Sequence, residues 1–380
     1  MKKQGIQYLK ISNFKSIDSL ELKNLKDFSV FAGANGSGKS NFFDALDFVS
    51  RFIRNGITDA LRWHGGFDNI HSVKRHKEQR FEFEIKYTLP SEATDKNEWY
   101  RLGLHNLSDK PEIEESISQN YNLLFERQKG KIPCLTRGET RTPIEGFSSN
   151  YSGFHLFSNL FLYQWLSNLH LYRIEPKGAS APAQSDQDSS LLKYNGHNLP
   201  HVLRRLEQNK HLRETILEWM ETMVPGIEQI KTSLQLGGTA ILFKEHGTDK
   251  QFPAQMMSDG TIYALSLLVA VLDMPSDSGL TLIEEPERGL HPQVIFEFID
   301  LMRTQASNAN PLWMTTHSES VVRRLQLDEL WLVDKKEGRT QMKAAASGHL
   351  QQQDLAPLGV DEAWLSDLLG GGLPWGGENN

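Results

Sequence analysis

The chain carries one cysteine, Cys134, in 380 residues. A lone thiol forms no internal disulfide and builds no thiolate metal cluster, which excludes a disulfide scaffold and a zinc-finger-type centre. No apolar run approaches the roughly 18 residues that a membrane-crossing helix needs, so no membrane partner is expected. Basic charge is also short: 41 lysines and arginines face 48 acidic residues, a formal net charge of −7. That balance argues against a broad DNA-binding face. The 13 histidines show no His-Glu-x-x-His or comparable metal spacing. Neither an internal repeat nor a sustained heptad pattern is present, which argues against a solenoid or a long coiled-coil arm. Met1-Lys2-Lys3-Gln4-Gly5 leads straight into a strand-like run without a secretory apolar region, and a cytoplasmic location is expected.

What is present is concentrated in a few short motifs. Gly33-Ala34-Asn35-Gly36-Ser37-Gly38-Lys39-Ser40 is a complete G-x-x-x-x-G-K-[ST] phosphate loop. The apolar run Asp27–Ala32 precedes it, and Asn41–Val49, with apolar residues at helical spacing, follows. Strand, glycine loop and helix give the motif its mechanism: backbone N–H groups curl around phosphates at a helix N-terminus. Lys39 is expected to reach the β- and γ-phosphates of ATP, and the Ser40 hydroxyl to ligate Mg²⁺.

A second run, Leu280-Thr281-Leu282-Ile283-Glu284-Glu285, reads as a buried strand ending in two carboxylates. The first acid can hold the Mg²⁺ shell and the second can polarise an attacking water. Pro286-Glu287-Arg288-Gly289-Leu290-His291-Pro292 then makes a turn-rich connection. Met257-Ser258-Asp259-Gly260-Thr261 lies upstream, before the helix-like run Ile262–Leu272, and a strand at 311–315 leads to Thr316-His317-Ser318.

In this order the motifs resemble those of ABC-type ATPases, in the branch that contains SMC, RecF and OLD-like proteins and bacterial ATPases without a long coiled coil. Ser258-Asp259-Gly260-Thr261 looks like the ABC signature, usually Leu-Ser-Gly-Gly-Gln, from which Asp259 and Thr261 depart. Glu284 stands where most relatives have Asp. The opening Asn13-Phe14-Lys15-Ser16 also resembles the first turn of this branch. The resemblance covers residues 1–55 and about 250–335. It implies a nucleotide site made of Gly33, Asn35, Gly36, Ser37, Gly38, Lys39, Ser40 and Asn41, with Ser40 and Glu284 on Mg²⁺. It also implies Glu285 as the catalytic acid, Lys39 and His317 beside the transferring phosphoryl group, and Ser258 and Gly260 as γ-phosphate contacts supplied in trans by a second copy.

The expected fold is α/β: a P-loop, ABC-ATPase-like head with a mostly parallel sheet, a small antiparallel β-subdomain and a short helical or globular insertion. The expected regions are 1–90 (phosphate loop), 91–240 (inserted lid), 241–335 (signature, paired acids, His317) and 336–380 (tail). Strands are expected at 99–105, 112–118, 122–127 and 341–345, helices at 156–169, 199–208, 211–224 and 361–369, a loop at 136–153, and a connector at 179–190. Two basic clusters, Lys74-Arg75-His76-Lys77 and Arg204-Arg205 with Lys210, are candidate DNA contacts. The Q-loop glutamine is left between Gln79 and Gln119. Glu329–Asp334 ends in an acid without a following Asp-x-Asp, so no nuclease centre is expected here.

The functional expectation is an ATP-binding and ATP-hydrolysing head that dimerises on ATP. It would act in DNA maintenance or in defence against phage and other mobile elements, with a nuclease or other effector as partner. The alternatives are the nucleotide-binding subunit of a transporter and a regulatory module that holds ATP without turnover.

Overall fold

The computed structural model describes residues 4–71, 80–89, 96–105, 111–183, 190–235, 238–274, 278–348, 350–355 and 357–374. The cluster at 74–77 and Gln79 lie outside them, as do residues 184–189 of the expected connector. In chain order the strands are β1 (Gly5–Phe14), β2 (Ile17–Lys23), β3 (Phe28–Ala32), β4 (Arg80–Leu89), β5 (Lys96–His105), β6 (Glu112–Gln119), β7 (Asn122–Arg127), β8 (Cys134–Arg137), β9 (Thr140–Pro143), β10 (Leu169–Tyr172), β11 (Ile227–Gln235), β12 (Gly238–Glu245), β13 (Gln251–Pro253), β14 (Leu280–Glu284), β15 (Leu312–Thr316), β16 (Leu330–Lys336) and β17 (Arg339–Ala344). The α-helices are α1 (Lys39–Asn55), α2 (Ile57–Trp63), α3 (Phe67–Ile70), α4 (Phe161–Ser167), α5 (Pro176–Ser180), α6 (Leu199–Leu206), α7 (Lys210–Met223), α8 (Asp259–Leu272), α9 (Pro292–Gln305), α10 (Glu319–Val322) and α11 (Val360–Leu365). Among the described residues no helix is long and apolar enough to cross a membrane.

The chain divides into two compact units. One comprises Met1–Leu169, Asp277–Leu280 and Ser307–Asn380, the other His170–Ser276 and Thr281–Ala306. The first unit contains an antiparallel sheet in the order β2-β1-β4-β5-β6-β7-β8-β9. Its strands alternate as a half-buried sheet requires: Phe81, Phe83, Ile85 and Tyr87 of β4 are buried, and the intervening Glu82, Glu84 and Lys86 are half-buried. The strands expected at 99–105, 112–118 and 122–127 belong to this sheet, and β8 and β9 form where a loop was expected.

The same unit holds the strand order β15-β3-β16-β17. β15 and β16 flank β3 in parallel, and β17 returns antiparallel along β16. β3 is buried along its whole length, as a parallel strand covered on both faces must be. Beneath the phosphate loop, Phe31 meets Trp313, Trp331 and Phe42, with ring centroids 4.8–6.2 Å apart. This aromatic block gives the strand carrying the loop a rigid seat.

In the second unit β10 neighbours β14, and β11, β12 and β13 form a separate antiparallel sheet. α8 is buried from Thr261 to Val271 on every side, as its uniformly apolar sequence requires. The Ser258 side chain caps it by accepting from the Thr261 N–H at 3.1 Å.

Candidate functional site

The phosphate-loop residues are placed by a strand-to-helix turn. β3 ends at Ala32, the loop runs from Gly33 to Gly38, and α1 starts at Lys39. Gly36 and Gly38 take φ of 77° and 108°, in the left-handed region that favours glycine. Lys39 is 5% exposed. Its Nζ donates to the Gly33 and Ala34 carbonyls, both at 2.8 Å, which folds the cation back over the loop. Ser37 Oγ is buried and has no hydrogen-bond partner among the described residues. An unmatched buried hydroxyl in a glycine turn headed by a buried lysine fits a phosphate group. Asn35, Gly36 and Ser40 are exposed at the mouth of the loop.

His317 comes to this loop through strand pairing. Thr316 pairs with Ala32 in the parallel register, and the Gly33 N–H donates to the Thr316 carbonyl at 3.2 Å. His317, the next residue, is exposed. The carboxyl ends of β3 and β15 therefore present the loop and the histidine side by side, where open α/β sheets bind ligands.

The loop is also braced from remote parts of the chain. Thr340, at the start of β17, is 2% exposed. Its hydroxyl donates to the Ser37 carbonyl at 3.0 Å and lies 2.6 Å from Ser16 Oγ. Asn41 donates to the same Ser16 Oγ at 2.6 Å, and Lys15 pairs with Asp44 of α1 at 2.5 Å. Asn13 and Lys15 adopt φ of 58° and 49°, so the Asn-Phe-Lys-Ser turn is a strained reversal held against the loop and its helix. A Cβ added at Gly38 would stand 1.8 Å from Thr340 Oγ1, so glycine is required there twice, by φ and by contact. Thr340 carries no local motif; only its place in the β16–β17 hairpin brings it to the loop.

The paired acids belong to the second unit. Glu284 ends β14, half-buried, and its Oε1 accepts from Arg173 Nη2 at 2.5 Å. Glu285 follows at φ 46°, an unusual conformation for a residue with a side chain. Tyr263 Oη donates to the Glu285 carbonyl at 2.8 Å and fixes that turn from α8. The Glu285 carboxylate pairs with Arg288 at 2.9 Å. Burial drives the Tyr263 hydroxyl well above its ordinary pKa, with Glu287 adding to the effect, so it stays a donor. Among the described residues no group of three or more His, Cys, Asp or Glu is arranged to hold a metal alone. A single strand-end carboxylate such as Glu284 suits Mg²⁺, which takes few protein ligands and completes its shell with phosphate oxygens and water.

Ser258 and Gly260, the residues that resemble a signature, belong to the same unit as these acids. Ser258 is exposed at the cap of α8. Gly260 packs so closely on the turn after Glu285 that an added Cβ would stand 2.8 Å from the Gly289 carbonyl oxygen. Other expected residues have different employment. Gln119 sits at the β6–β7 turn and donates to Glu98 at 3.3 Å. Arg205 pairs with Asp273, and Lys210 with Glu214. Asp334 accepts from the Gly372 N–H at 2.7 Å and anchors the glycine-rich tail. Arg173, Tyr263 and Thr340 carry no motif in the sequence.

The model of the family described as "AAA domain, putative AbiEii toxin, Type IV TA system" matches residues 28–323. No curated protein matches the chain. Among solved structures, the crystal structure of an Smc head bound to the C-terminal winged-helix domain of ScpA is similar at 16% identity and a TM-score of 0.51, covering 89% of this chain and 97% of that one. The Smc head with an extended coiled coil, bound to the C-terminal domain of ScpA derived from Pyrococcus furiosus, aligns at 15% identity and a TM-score of 0.49, with 90% and 96% of the two chains covered. The SMC head domain from Thermotoga maritima aligns at 14% and 0.45, with 90% and 98% covered.

Proposed function

This chain belongs to that AAA-domain family and has the SMC-head type of P-loop fold, and on that premise we propose that it binds and hydrolyses ATP as a nucleotide-dependent homodimer. The observation that carries this reading is the phosphate loop: a buried Lys39, positive-φ glycines and a buried Ser37 hydroxyl without a protein partner, all at the end of a buried strand. The loop N–H groups and Lys39 bind the β- and γ-phosphates. Ser40 and Glu284 are the residues that would hold Mg²⁺, which supplies charge neutralisation on the phosphates when bound. Glu285 orients the attacking water and accepts its proton, and His317 donates to the γ-phosphate oxygens.

Ser258 and Gly260 serve the second copy. In the ABC-type resemblance one subunit closes its signature on the nucleotide of the other, and two-fold symmetry makes both sites equivalent. The exposure of Ser258 at a helix cap supports that role. ATP would join the dimer and hydrolysis would release it. The cycle acts in DNA maintenance or mobile-element defence, with an effector protein as partner. The family description, with its toxin–antitoxin context, and the ScpA-bound Smc head support that reading.

The test is a pair of variants. Lys39→Ala is expected to abolish ATP binding, because the loop loses its fixed positive charge. Glu285→Gln is expected to bind ATP as the wild type does and to stop turnover. Equal ATPase rates in wild type and Glu285→Gln would overturn the assignment of Glu285.

A further inference from the structure

Arg173 follows β10 directly, and β10 neighbours β14, the strand that ends in Glu284. Its guanidinium makes two different connections. Nη2 donates to Glu284 Oε1 at 2.5 Å, and Nη1 donates to the Tyr194 hydroxyl at 3.1 Å. The main chain repeats the second link: the Arg173 N–H donates to the Tyr194 carbonyl at 2.9 Å, and the Glu175 N–H to the Asn195 carbonyl at 3.1 Å. Tyr194 lies in the segment 191–198, which Asn198 closes on itself by accepting from the Lys193 N–H and donating to the Leu191 carbonyl. Arg173 is thus a cation with one hand on a strand-end carboxylate and another on a loop 21 positions away in sequence.

Both partners are only partly withdrawn from water: the Arg173 side chain is 28% exposed and that of Glu284 14%. A guanidinium–carboxylate pair in this setting is a strong charge-assisted contact. It is also a rival. The oxygen that accepts from Arg173 belongs to the carboxylate assigned above to Mg²⁺, and a divalent cation on that carboxylate would repel the guanidinium beside it.

We propose that Arg173 is a resident counter-ion for Glu284 that competes with the divalent cation, and that its grip on Tyr194 makes segment 191–198 respond when the cation arrives. The proposal rests on the nucleotide reading above, because it takes Glu284 as a metal-holding acid. Without the cation, Arg173 neutralises Glu284 and holds the segment down. With the cation bound, Glu284 would serve the metal and the guanidinium would lose its hold on that carboxylate. The loop beyond β10 then loosens, so metal occupancy is read out in the inserted part of the chain. Arg173 is a positioning residue in this scheme and touches no reacting atom.

The experiment uses the full chain and a fluorescent, non-hydrolysable ATP analogue titrated at increasing Mg²⁺. Arg173→Ala is expected to lower the half-saturating Mg²⁺ concentration by about tenfold, the scale of one lost charge-assisted hydrogen bond. Arg173→Lys keeps the charge, preserves folding if the alanine variant does not fold, and is expected to shift the value less. Affinity for the analogue in EDTA is expected to stay unchanged. Amide exchange in 191–198 is expected to rise in wild type on adding Mg²⁺ and analogue, and to be high already in Arg173→Ala without metal. An unchanged or higher Mg²⁺ requirement, or an exchange rate insensitive to Mg²⁺ in wild type, overturns the proposal and leaves a purely structural ion pair. Lost affinity in EDTA overturns it in favour of a direct phosphate contact. A wild type that binds no analogue at any Mg²⁺ concentration overturns the nucleotide reading itself, a result distinct from all of these.

Discussion

Thr340 and Gly38 show how much of the phosphate loop depends on one remote hydroxyl. Thr340 donates to the Ser37 carbonyl and meets Ser16 Oγ, while its side chain fills the space a Cβ at Gly38 would need. Thr340→Val keeps the shape and leaves the Ser37 carbonyl and the Ser16 hydroxyl short of a partner. A loss of about 1–3 kcal/mol is expected from unsatisfied buried groups of this kind. Urea unfolding would measure it, and nucleotide titration is expected to show weaker binding, with Thr340→Ser restoring both. Unchanged affinity in the valine variant would make the hairpin irrelevant to the loop. A second residue-scale expectation concerns the conformation at Glu285. Tyr263→Phe removes the donor that holds its carbonyl at φ 46°. Turnover is expected to fall several-fold with nucleotide affinity retained, because the strained turn aims the carboxylate and does not bind phosphate. Steady-state kinetics beside equilibrium binding separates the two.

Among the elements, β6 carries a buried acid that no motif explains. The Glu115 carboxylate accepts from the Tyr100 hydroxyl at 2.8 Å, the Gly153 N–H at 2.7 Å and the Ser152 hydroxyl. It ties β5 and β6 to the turn at 152–153. Burial nonetheless pushes its pKa above the ordinary glutamate range, against the pull of those three donors. The folded state therefore holds a proton that the unfolded chain has released between the ordinary value and the raised one. Stability falls as pH rises through that window. Glu115→Gln removes the titration, and its stability profile is expected to be flatter there. Unfolding midpoints measured from about pH 4 to pH 8 would show it, and a profile parallel to wild type would count against the assignment. The same sheet explains a misread element. The Gly/Ser/Thr-rich stretch 136–153 reads as loop in the sequence, yet its first part belongs to strands at 134–137 and 140–143. These form the edge hairpin β8–β9, in which β9 is exposed at every position. An edge strand without a buried face shows no alternation, so periodicity cannot reveal it.

For the whole molecule the decisive test is assembly. Ser258→Arg places a bulky cation at an exposed helix cap and is expected to bind ATP without dimerising or hydrolysing. Lys39→Ala is expected to be inactive for the opposite reason. Mixed, the two inactive proteins are expected to form dimers in which one site has an intact phosphate loop facing an intact Ser258-Asp259-Gly260-Thr261 segment. Partial single-turnover activity is expected in the mixture, with light scattering following the mass. Wild-type turnover that is unchanged on dilution, with no ATP-dependent dimer of Glu285→Gln at micromolar protein, would mean that the site works within one chain.

Short-range chemistry was legible in the linear chain. The phosphate loop needs glycines at set spacings between a strand and a helix, and Gly33–Ser40 spells that out. The paired acids at the end of an apolar run, and the order of motifs that carries the family resemblance, are equally local. So are the alternation of β4 and the amphipathic helices at 199–206 and 210–223, because burying one face writes a period into the sequence. The contacts that brace these motifs are not written that way. Thr340 meets a carbonyl 303 positions earlier, and Arg173 meets a carboxylate 111 positions later. Neither leaves a local pattern, since a threonine in a hairpin and an arginine after a strand are ordinary surface residues until folding closes the distance. Patterning reports which face of an element turns inward; which remote side chain completes a loop's hydrogen bonds follows from strand order and register.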